Sequence, residues 1–146
     1  MKWEVKIEGA PNSQMRHRHR KLKDGRVITY DPSKKDKKVI EEIIDWQKPK
    51  ELFTGPVFVK IIAWFPIPKS YSAKKAMALE DAYRPKKPDN DNIEKFYYDC
   101  MSGIVFEDDN QVVVNVTHKR QSANPRVYIT VGDIDEITDG LRRFKQ

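Results

Sequence analysis

Hydrophobic and polar residues alternate with a period of two in several short segments, a pattern typical of strands with one buried face. Near the N-terminus, Trp3, Val5 and Ile7 alternate with charged residues. The run between Pro56 and Pro66 differs because nearly every residue on both of its faces is apolar, which predicts a central strand. The strands predicted from these patterns cover residues 3–7, 26–30, 56–66, 112–117 and 126–131.

Two longer segments have apolar residues spaced three and four apart, which predicts amphipathic helices. In the first, at about residues 32–47, Asp31 is placed to cap the N-terminus, Pro32 occupies the first turn and Pro49 ends the helix. We expect this helix to pack on the sheet. Its apolar stripe consists of Val39, Ile40, Ile43 and Ile44.

The second helix is predicted over residues 92–102 and ends before Gly103. Asp91 is the natural N-cap residue, and Glu94 occupies the third helical position, as in a capping box. Asp91, Lys95 and Asp99 are spaced four apart and therefore share one polar line that faces away from the core. The apolar stripe consists of Ile93, Phe96, Tyr97, Cys100 and Met101.

A β-hairpin is predicted directly after this helix. Residues 104–106 form a short apolar strand, residues 108–110 have turn chemistry, and residues 112–117 are rich in β-branched side chains. Together, these elements indicate an α+β fold, in which a mixed or mostly antiparallel sheet has two main helices packed on one face.

The hairpin is expected to return Asp109 toward the start of the second helix, where Asp89 and Asp91 lie. Three carboxylates could then converge on one point, and oxygen ligands of this kind suit Mg²⁺ or Mn²⁺ bound together with phosphate oxygens. A structural interpretation stays open beside this one. Asp91 would then be only a helix cap, and residues 108–110 would be only a turn.

Length and charge narrow the class of protein. The 146 residues suit a single domain, residues 1–146, and a net charge of +6 suits a polyanionic partner. A lone cysteine, Cys100, excludes an internal disulfide and falls on the apolar stripe of the second helix. The N-terminus has no apolar signal-peptide run, and no segment is long and apolar enough to span a membrane, so we expect a cytoplasmic protein.

Two basic segments are candidates for DNA contact. If the first is extended, Arg16, Arg18 and Arg20 share one face, although a solvated charge run is an equal alternative. The second, residues 67–88, is predicted to be a mobile basic flap with a short helix at about residues 73–82 capped by Ser72, or else a disordered surface loop. The candidate residues are Arg16, Arg18, Arg20, Lys69, Lys74, Lys75, Lys86 and Lys87. We assign no function to residues 133–146.

The segment Pro88-Asp-Asn-Asp-Asn-Ile-Glu-Lys95, followed by Asp99, Gly103 and Asp108-Asp-Asn-Gln111, resembles the RusA-type Holliday-junction resolvases. These are small endonucleases of phages and prophages. The family pattern is an Asp-x-Asp-Asn-hydrophobic-x-Lys box, an Asp four residues later, a Gly after the helix, and then Asp-Asp-x-Gln. A looser similarity extends to residues 65–70 and to the N-terminal arginines, where the family often has a proline between two arginines.

The resemblance implies a RusA-like fold, and it implies that a homodimer cleaves four-way DNA junctions by symmetric nicking, with Mg²⁺ as cofactor and Mn²⁺ as a possible substitute. It implies that Asp89, Asp91 and Asp109 bind the metal, with Asp108 as a further candidate, and that Lys95 assists catalysis. It also suggests a phage or prophage gene expressed in a bacterial cytoplasm. The alternatives are a general Mg²⁺-dependent nuclease of flaps and other branched DNA, and a basic DNA-binding protein without catalysis.

Overall fold

The structure, a computed structural model, describes residues 1–135. Four strands form a mixed sheet in the order β1-β6-β4-β5, and β2 and β3 form a separate two-stranded ribbon. With its helices this is an α+β fold, as predicted. The elements are β1 Lys2–Glu8, β2 Arg18–Lys21, β3 Val27–Tyr30, α1 Lys34–Trp46, β4 Val57–Pro66, α2 Ala73–Leu79, α3 Asn90–Met101, a 3₁₀ helix Asp109–Gln111, β5 Val112–Ser122 and β6 Arg126–Asp133.

β4 is the central strand, as predicted, with β6 antiparallel on one side and β5 parallel on the other. A parallel pair needs a long connection between its strands, because the chain must return to the same end of the sheet. Here the connection is residues 67–111, and it carries α2, α3 and all the candidate metal ligands. The topology therefore places the acidic segment beside the β5 edge of the sheet.

The core lies on one face of this sheet, where α1 and α3 pack against each other and against the strands. Val57, Val59 and Ile61 of β4 are fully buried there. The opposite face of β4 is only partly covered. Its apolar residues Phe58 and Ile62 are half-buried, among side chains of the neighbouring strands.

Both main helices begin at a different residue from the one predicted. Ser33 is at the N-cap position of α1, and the Asp31 carboxylate instead accepts hydrogen bonds from the Ser33 amide at 2.8 Å and from Lys37 Nζ at 2.7 Å. Val39 is 56% exposed and lies outside the buried stripe. Asp89, and not Asp91, is at the N-cap position of α3.

The predicted hairpin after α3 is wrong. Residues 104–106 make turn-like contacts, in which the Ile104 and Val105 amides both donate to the Met101 carbonyl. Gly103 adopts a positive φ of 83° and ends α3, as its type predicted. β5 then pairs with β4 across the molecule, because its long β-branched run has an open edge of the central strand available.

Candidate active site

The Asp-x-Asp-Asn-hydrophobic-x-Lys segment, residues 89–95, lies at the N-terminal end of α3, and we call it the acidic box. Asp89 occupies the N-cap position, Asp91 lies in the first turn and Lys95 follows one turn later, and all three are exposed. The helix takes this orientation because its apolar stripe is buried against the sheet and α1, as predicted. The N-terminal end of a helix carries partial positive charge, which favours anionic side chains and anionic ligands.

Neither Asp89 nor Asp91 serves the fold as a cap. The Asp89 side chain accepts no capping hydrogen bond, and only its backbone carbonyl enters the helix, accepting from Asn92 at 3.2 Å. Within residues 1–135, neither carboxylate accepts a hydrogen bond or pairs with a cation. The interpretation of Asp91 as merely a helix cap is therefore wrong, and both groups are open to an external ligand.

Asp108, in contrast, has a structural role. Its carboxylate accepts from the Asn110 amide at 2.9 Å, while its own amide donates to Gln111 Oε1 at 2.9 Å, which completes a capping box. Gln111 Nε2 donates to the carbonyls of Phe53 and Gly55 at 2.8 and 3.0 Å. The turn interpretation is correct here, and this turn holds Asp109 in place.

Asp109 faces α3. Partial burial, a hydrogen bond with Asp108 and the negative charges of Asp108 and Asp99 all raise the pKa of Asp109, whereas the positive charge of Lys95 lowers it. The 3₁₀ helix that carries Asp109 contacts α3, and the Asp109 carboxylate is within electrostatic range of Lys95 and Asp99. A cation bound here would relieve the crowding of negative charges.

The described residues contain no group of three histidine, cysteine, aspartate or glutamate side chains close enough to hold one metal ion. The metal roles of Asp89, Asp91 and Asp109 therefore stay predictions. Their chemistry fits Mg²⁺, which usually binds through one or two carboxylates together with waters and substrate phosphates, and seldom in a cage of protein ligands alone.

Lys95 has no carboxylate partner in the part of the chain that the structure describes. The spacing of four residues would allow a surface salt bridge from Lys95 to Asp91 or to Asp99. Instead, Asp99 pairs with Lys37 Nζ at 2.8 Å, and the same ammonium binds Asp31 at 2.7 Å. Lys95 is thus left exposed beside Asp109, with its charge available.

Sequence reasoning missed the strap of residues 12–16, which lies across α3. The Gln14 amide donates to the Asn92 carbonyl at 2.8 Å, and the Asn12 amide donates to the Tyr97 hydroxyl at 2.9 Å. These contacts bring Arg16 to the rims of two adjoining clefts, one lined by Asp89 and the other by Lys95. Because the strap has no hydrophobic period, its sequence carries no signal for this placement.

The C-terminal part of the basic segment 67–88 lies along β5 and is hydrogen-bonded to it. Asp81 donates its amide to the Gln121 carbonyl at 2.8 Å, and Arg84 donates to the Lys119 carbonyl at 2.9 Å. Ser72 caps α2 by accepting from the Lys75 amide at 3.2 Å, as predicted. Movement of this segment on DNA binding stays a prediction.

All eight candidate DNA-contacting side chains are exposed. The antiparallel register of the ribbon sets Arg18 opposite Tyr30 and Arg20 opposite Ile28, so both arginines project from one face, as expected. Lys75 Nζ lies 3.8 Å from the centre of the Tyr71 ring. The candidates remain predictions, distributed over the ribbon, the strap and the basic segment.

The model of the endodeoxyribonuclease RusA family matches residues 8–132. The chain belongs to the RusA family. This confirms the resemblance inferred from the acidic box, and it indicates that the protein is an endodeoxyribonuclease. The chain is also similar to the uncharacterized protein YqaN of Bacillus subtilis strain 168. It is 32% identical over 134 residues, covering 88% of this chain and 94% of that protein. No helix in residues 1–135 is long and apolar enough to cross a membrane.

Proposed function

We propose that this RusA-family protein is a Mg²⁺-dependent endonuclease that resolves four-way DNA junctions by paired nicks. The observation that carries the proposal is a set of charged side chains without structural partners in residues 1–135, namely Asp89, Asp91 and Lys95, with Asp109 held beside Lys95 by its own turn. Within a family of endodeoxyribonucleases, this set has the composition that phosphodiester hydrolysis requires.

The aspartates would hold one or two Mg²⁺ ions, or Mn²⁺ in their place, with one or two carboxylates to an ion and with waters and phosphate oxygens as the other ligands. The ion would supply Lewis-acid stabilisation of phosphoryl charge and a lowered pKa for bound water. The compact positive charge of Lys95 stabilises the negative charge that develops on the phosphate or on the leaving oxygen. Arg16, placed by the strap at the rim of the same region, contacts a neighbouring phosphate.

The exposed basic surface of the protein binds the phosphate backbone of the DNA. The β2–β3 ribbon is exposed along its whole length, and a two-stranded ribbon fits the major groove of DNA. Arg18 and Arg20 project together from one face. Because such contacts release counterions from DNA, affinity falls steeply as salt concentration rises.

Junction resolution requires two symmetric nicks, and each chain has one acidic box. We therefore propose a homodimer with two-fold symmetry, which presents two boxes to a four-way junction. Sedimentation of the active protein at assay concentration tests this point. A fully active monomer would contradict it.

The deciding experiment compares nicking of a four-way junction, a flap and a linear duplex of matched sequence in Mg²⁺. Preferred paired nicking of the junction supports resolution, equal cutting of flaps favours the general branched-DNA nuclease, and DNA binding without nicking favours the non-catalytic alternative. Ca²⁺ is the matched metal control, because it tolerates irregular oxygen geometry that Mg²⁺ does not. We expect Ca²⁺ to support binding but little cutting, and equal rates in the two ions would contradict the proposed site.

A further inference from the structure

A third cleft adjoins the acidic box on the side of β5. It is open, has a volume of about 360 Å³, and lies between residues 83–90 and β5. Asn90, the residue after Asp89, is part of its wall and donates from Nδ2 to the Thr117 carbonyl at 3.3 Å. Anything bound in this cleft is therefore adjacent to the first turn of α3 and its aspartates.

Tyr83 lines this cleft with an aromatic ring. Its side chain is 65% exposed, yet its position is fixed by an antiparallel bridge to Arg120 and by its carbonyl, which accepts from Gln121 Nε2 at 3.3 Å. The Arg120 guanidinium lies 4.4 Å from the ring centre and donates to the Tyr83 hydroxyl at 3.2 Å. The His118 ring centre is 6.1 Å away. An aromatic ring held in this way is pre-organised for stacking.

The cations around the cleft are already engaged by the protein. Lys119 Nζ donates to the carbonyls of Lys86 and Pro88 at 2.8 and 3.0 Å. Arg84 donates to the Lys87 carbonyl at 3.3 Å. The surface left over for a ligand is the aromatic one, which favours a planar base over a phosphate group.

We propose that this cleft binds one unpaired nucleobase of the DNA substrate, stacked on Tyr83 beside the acidic box. The inference rests on the proposed function, since base pairs at a branch point open and expose their bases more readily than those inside a fully paired duplex. Proteins recognise unstacked bases by stacking them on aromatic side chains, largely without regard to sequence. Tyr83 would thereby select branched DNA and orient the strand whose phosphate reaches Asp89.

The test measures binding in Ca²⁺ to a four-way junction, a forked duplex, a single strand and a fully paired duplex. The variants are Tyr83→Ala, Tyr83→Leu and Tyr83→Phe. Trp46→Ala is the matched control, because Trp46 is 90% exposed on α1 and outside the cleft. A 2-aminopurine at the branch point reports stacking through loss of its fluorescence.

We expect Tyr83→Ala and Tyr83→Leu to bind the junction, the fork and the single strand at least about fivefold more weakly, and Tyr83→Phe to bind near wild type. Binding of the paired duplex stays unchanged, and only variants with an aromatic ring quench the 2-aminopurine. Equal binding by Tyr83→Leu and Tyr83→Phe, or an equal loss on paired duplex, overturns the proposal. Because Leu and Phe are both bulky and apolar, this contrast decides even if Tyr83→Ala folds poorly.

The two proposals fail separately. If the Tyr83 variants bind as expected but the wild-type protein does not nick junctions in Mg²⁺, the nuclease proposal fails and the base subsite stands. If wild-type protein nicks junctions and the Tyr83 variants bind like wild type, the subsite fails and the nuclease proposal stands.

Discussion

Two groups of charged side chains share α3 and its surroundings, and the protein uses them in opposite ways. In the first, Lys37 Nζ lies 2.7 Å from Asp31 and 2.8 Å from Asp99, and its side chain is only 11% exposed. In the second, Asp89 and Lys95 are exposed and have no ion-pair partner within residues 1–135. The residue types are the same, and only the pairing differs. The first group holds the fold together, while the second is available to a ligand.

The buried network joins three parts of the chain. Asp31 accepts from Lys37, from the Ser33 amide and from Gln14 Nε2 at 2.8 Å, which ties the strap to the start of α1. Burial alone would raise the pKa of Asp31, but these hydrogen bonds lower it to about 2. Burial would likewise lower the pKa of Lys37, yet its two carboxylate partners raise it. Asp99 thus serves α1, although sequence spacing placed it in line with Lys95.

The largest effect on activity is expected from removing the negative charges of the exposed aspartates in the second group. We expect Asp89→Asn, Asp91→Asn and Asp109→Asn each to lower the nicking rate more than about 100-fold, since even outer-shell partners of metal ligands are worth about 10- to 100-fold. Junction binding without Mg²⁺ is expected to persist. Melting curves serve as the control and are expected to match wild type, because the Asp89 and Asp91 carboxylates accept no hydrogen bond in the described fold and asparagine can keep a hydrogen bond with Asp108 at position 109. Near-normal nicking by any variant removes that residue from the site.

Lys95→Ala is the next largest effect. We expect a loss on the order of 10²–10³ in the single-turnover rate at saturating protein, because removing one transition-state electrostatic contact typically costs this much. Binding is expected to change little, since many exposed basic residues share the backbone contacts. Lys95→Arg restores the charge but not the full rate, because a planar guanidinium differs from a compact ammonium. A wild-type rate for Lys95→Ala would strike Lys95 from the catalytic residues.

The sequence predicted the parts of the fold that depend on local pattern. The period of two found β1 and β6, the apolar run found β4, and the 3.6 period found both main helices. The sequence could not show that β5 pairs in parallel with β4, since strand partners are chosen by tertiary contacts and not by the period. The predicted hairpin failed for this reason.

For the candidate site, too, the sequence predicted most of the local features correctly and missed the tertiary contacts. Spacing correctly grouped Asp89, Asp91 and Lys95 at one end of a helix, but it assigned the cap to Asp91 and paired Asp99 with Lys95. The first error is a shift of two residues within the chain, whereas the second concerns a partner distant in sequence, because Lys37 reaches Asp99 across the α1–α3 contact. The placement of Tyr83 in the cleft beside β5 was missed because the bridge that fixes it joins residues from different parts of the chain.

Removing Lys37 from the Asp31–Lys37–Asp99 network tests whether this group stabilises the fold. We expect Lys37→Met to lower the free energy of unfolding by about 3 kcal/mol, the lower end of the cost of breaking a buried ion pair, because Asp99 is 36% exposed and solvent screens part of the loss. Well below the melting temperature, nicking should fall far less than in Asp109→Asn. Denaturant unfolding measures the first effect. Unchanged stability would show that the network does not hold α1 to α3.

The same network predicts a pH dependence. The pKa of Asp31 in the folded protein, about 2, is below its ordinary value of 3.8, so its contribution to stability is present above about pH 4 and is lost as pH falls toward 2. The shift corresponds to about 2 kcal/mol for a side chain that is 18% exposed. Asp31→Asn is the control and should lack this part of the acid destabilisation. Parallel stability curves for the two proteins between pH 5 and pH 2 would contradict the assignment.

The smallest expected effect separates two neighbouring aspartates. Asp108 and Asp109 both match the family motif, but the Asp108 carboxylate is used by the Asn110 amide, whereas Asp109 faces Lys95. Asparagine caps about as well as aspartate, so Asp108→Asn retains the turn and should nick and melt like wild type. Asp108→Ala removes the capping oxygen, so it should melt slightly lower and nick more slowly through a less well-held Asp109.

Nicking by Asp108→Asn, Asp108→Ala and Asp109→Asn, measured side by side, therefore sorts structural from ligating carboxylates. If Asp108 acts only by holding the turn, asparagine restores what alanine loses, because both asparagine and aspartate present an acceptor oxygen to the Asn110 amide. If Asp108 binds metal, asparagine fails as alanine does, since the amide lacks the negative charge that Mg²⁺ favours. A rate for Asp108→Asn as low as that for Asp109→Asn would move Asp108 into the metal site and leave Gln111 as the main support of the turn.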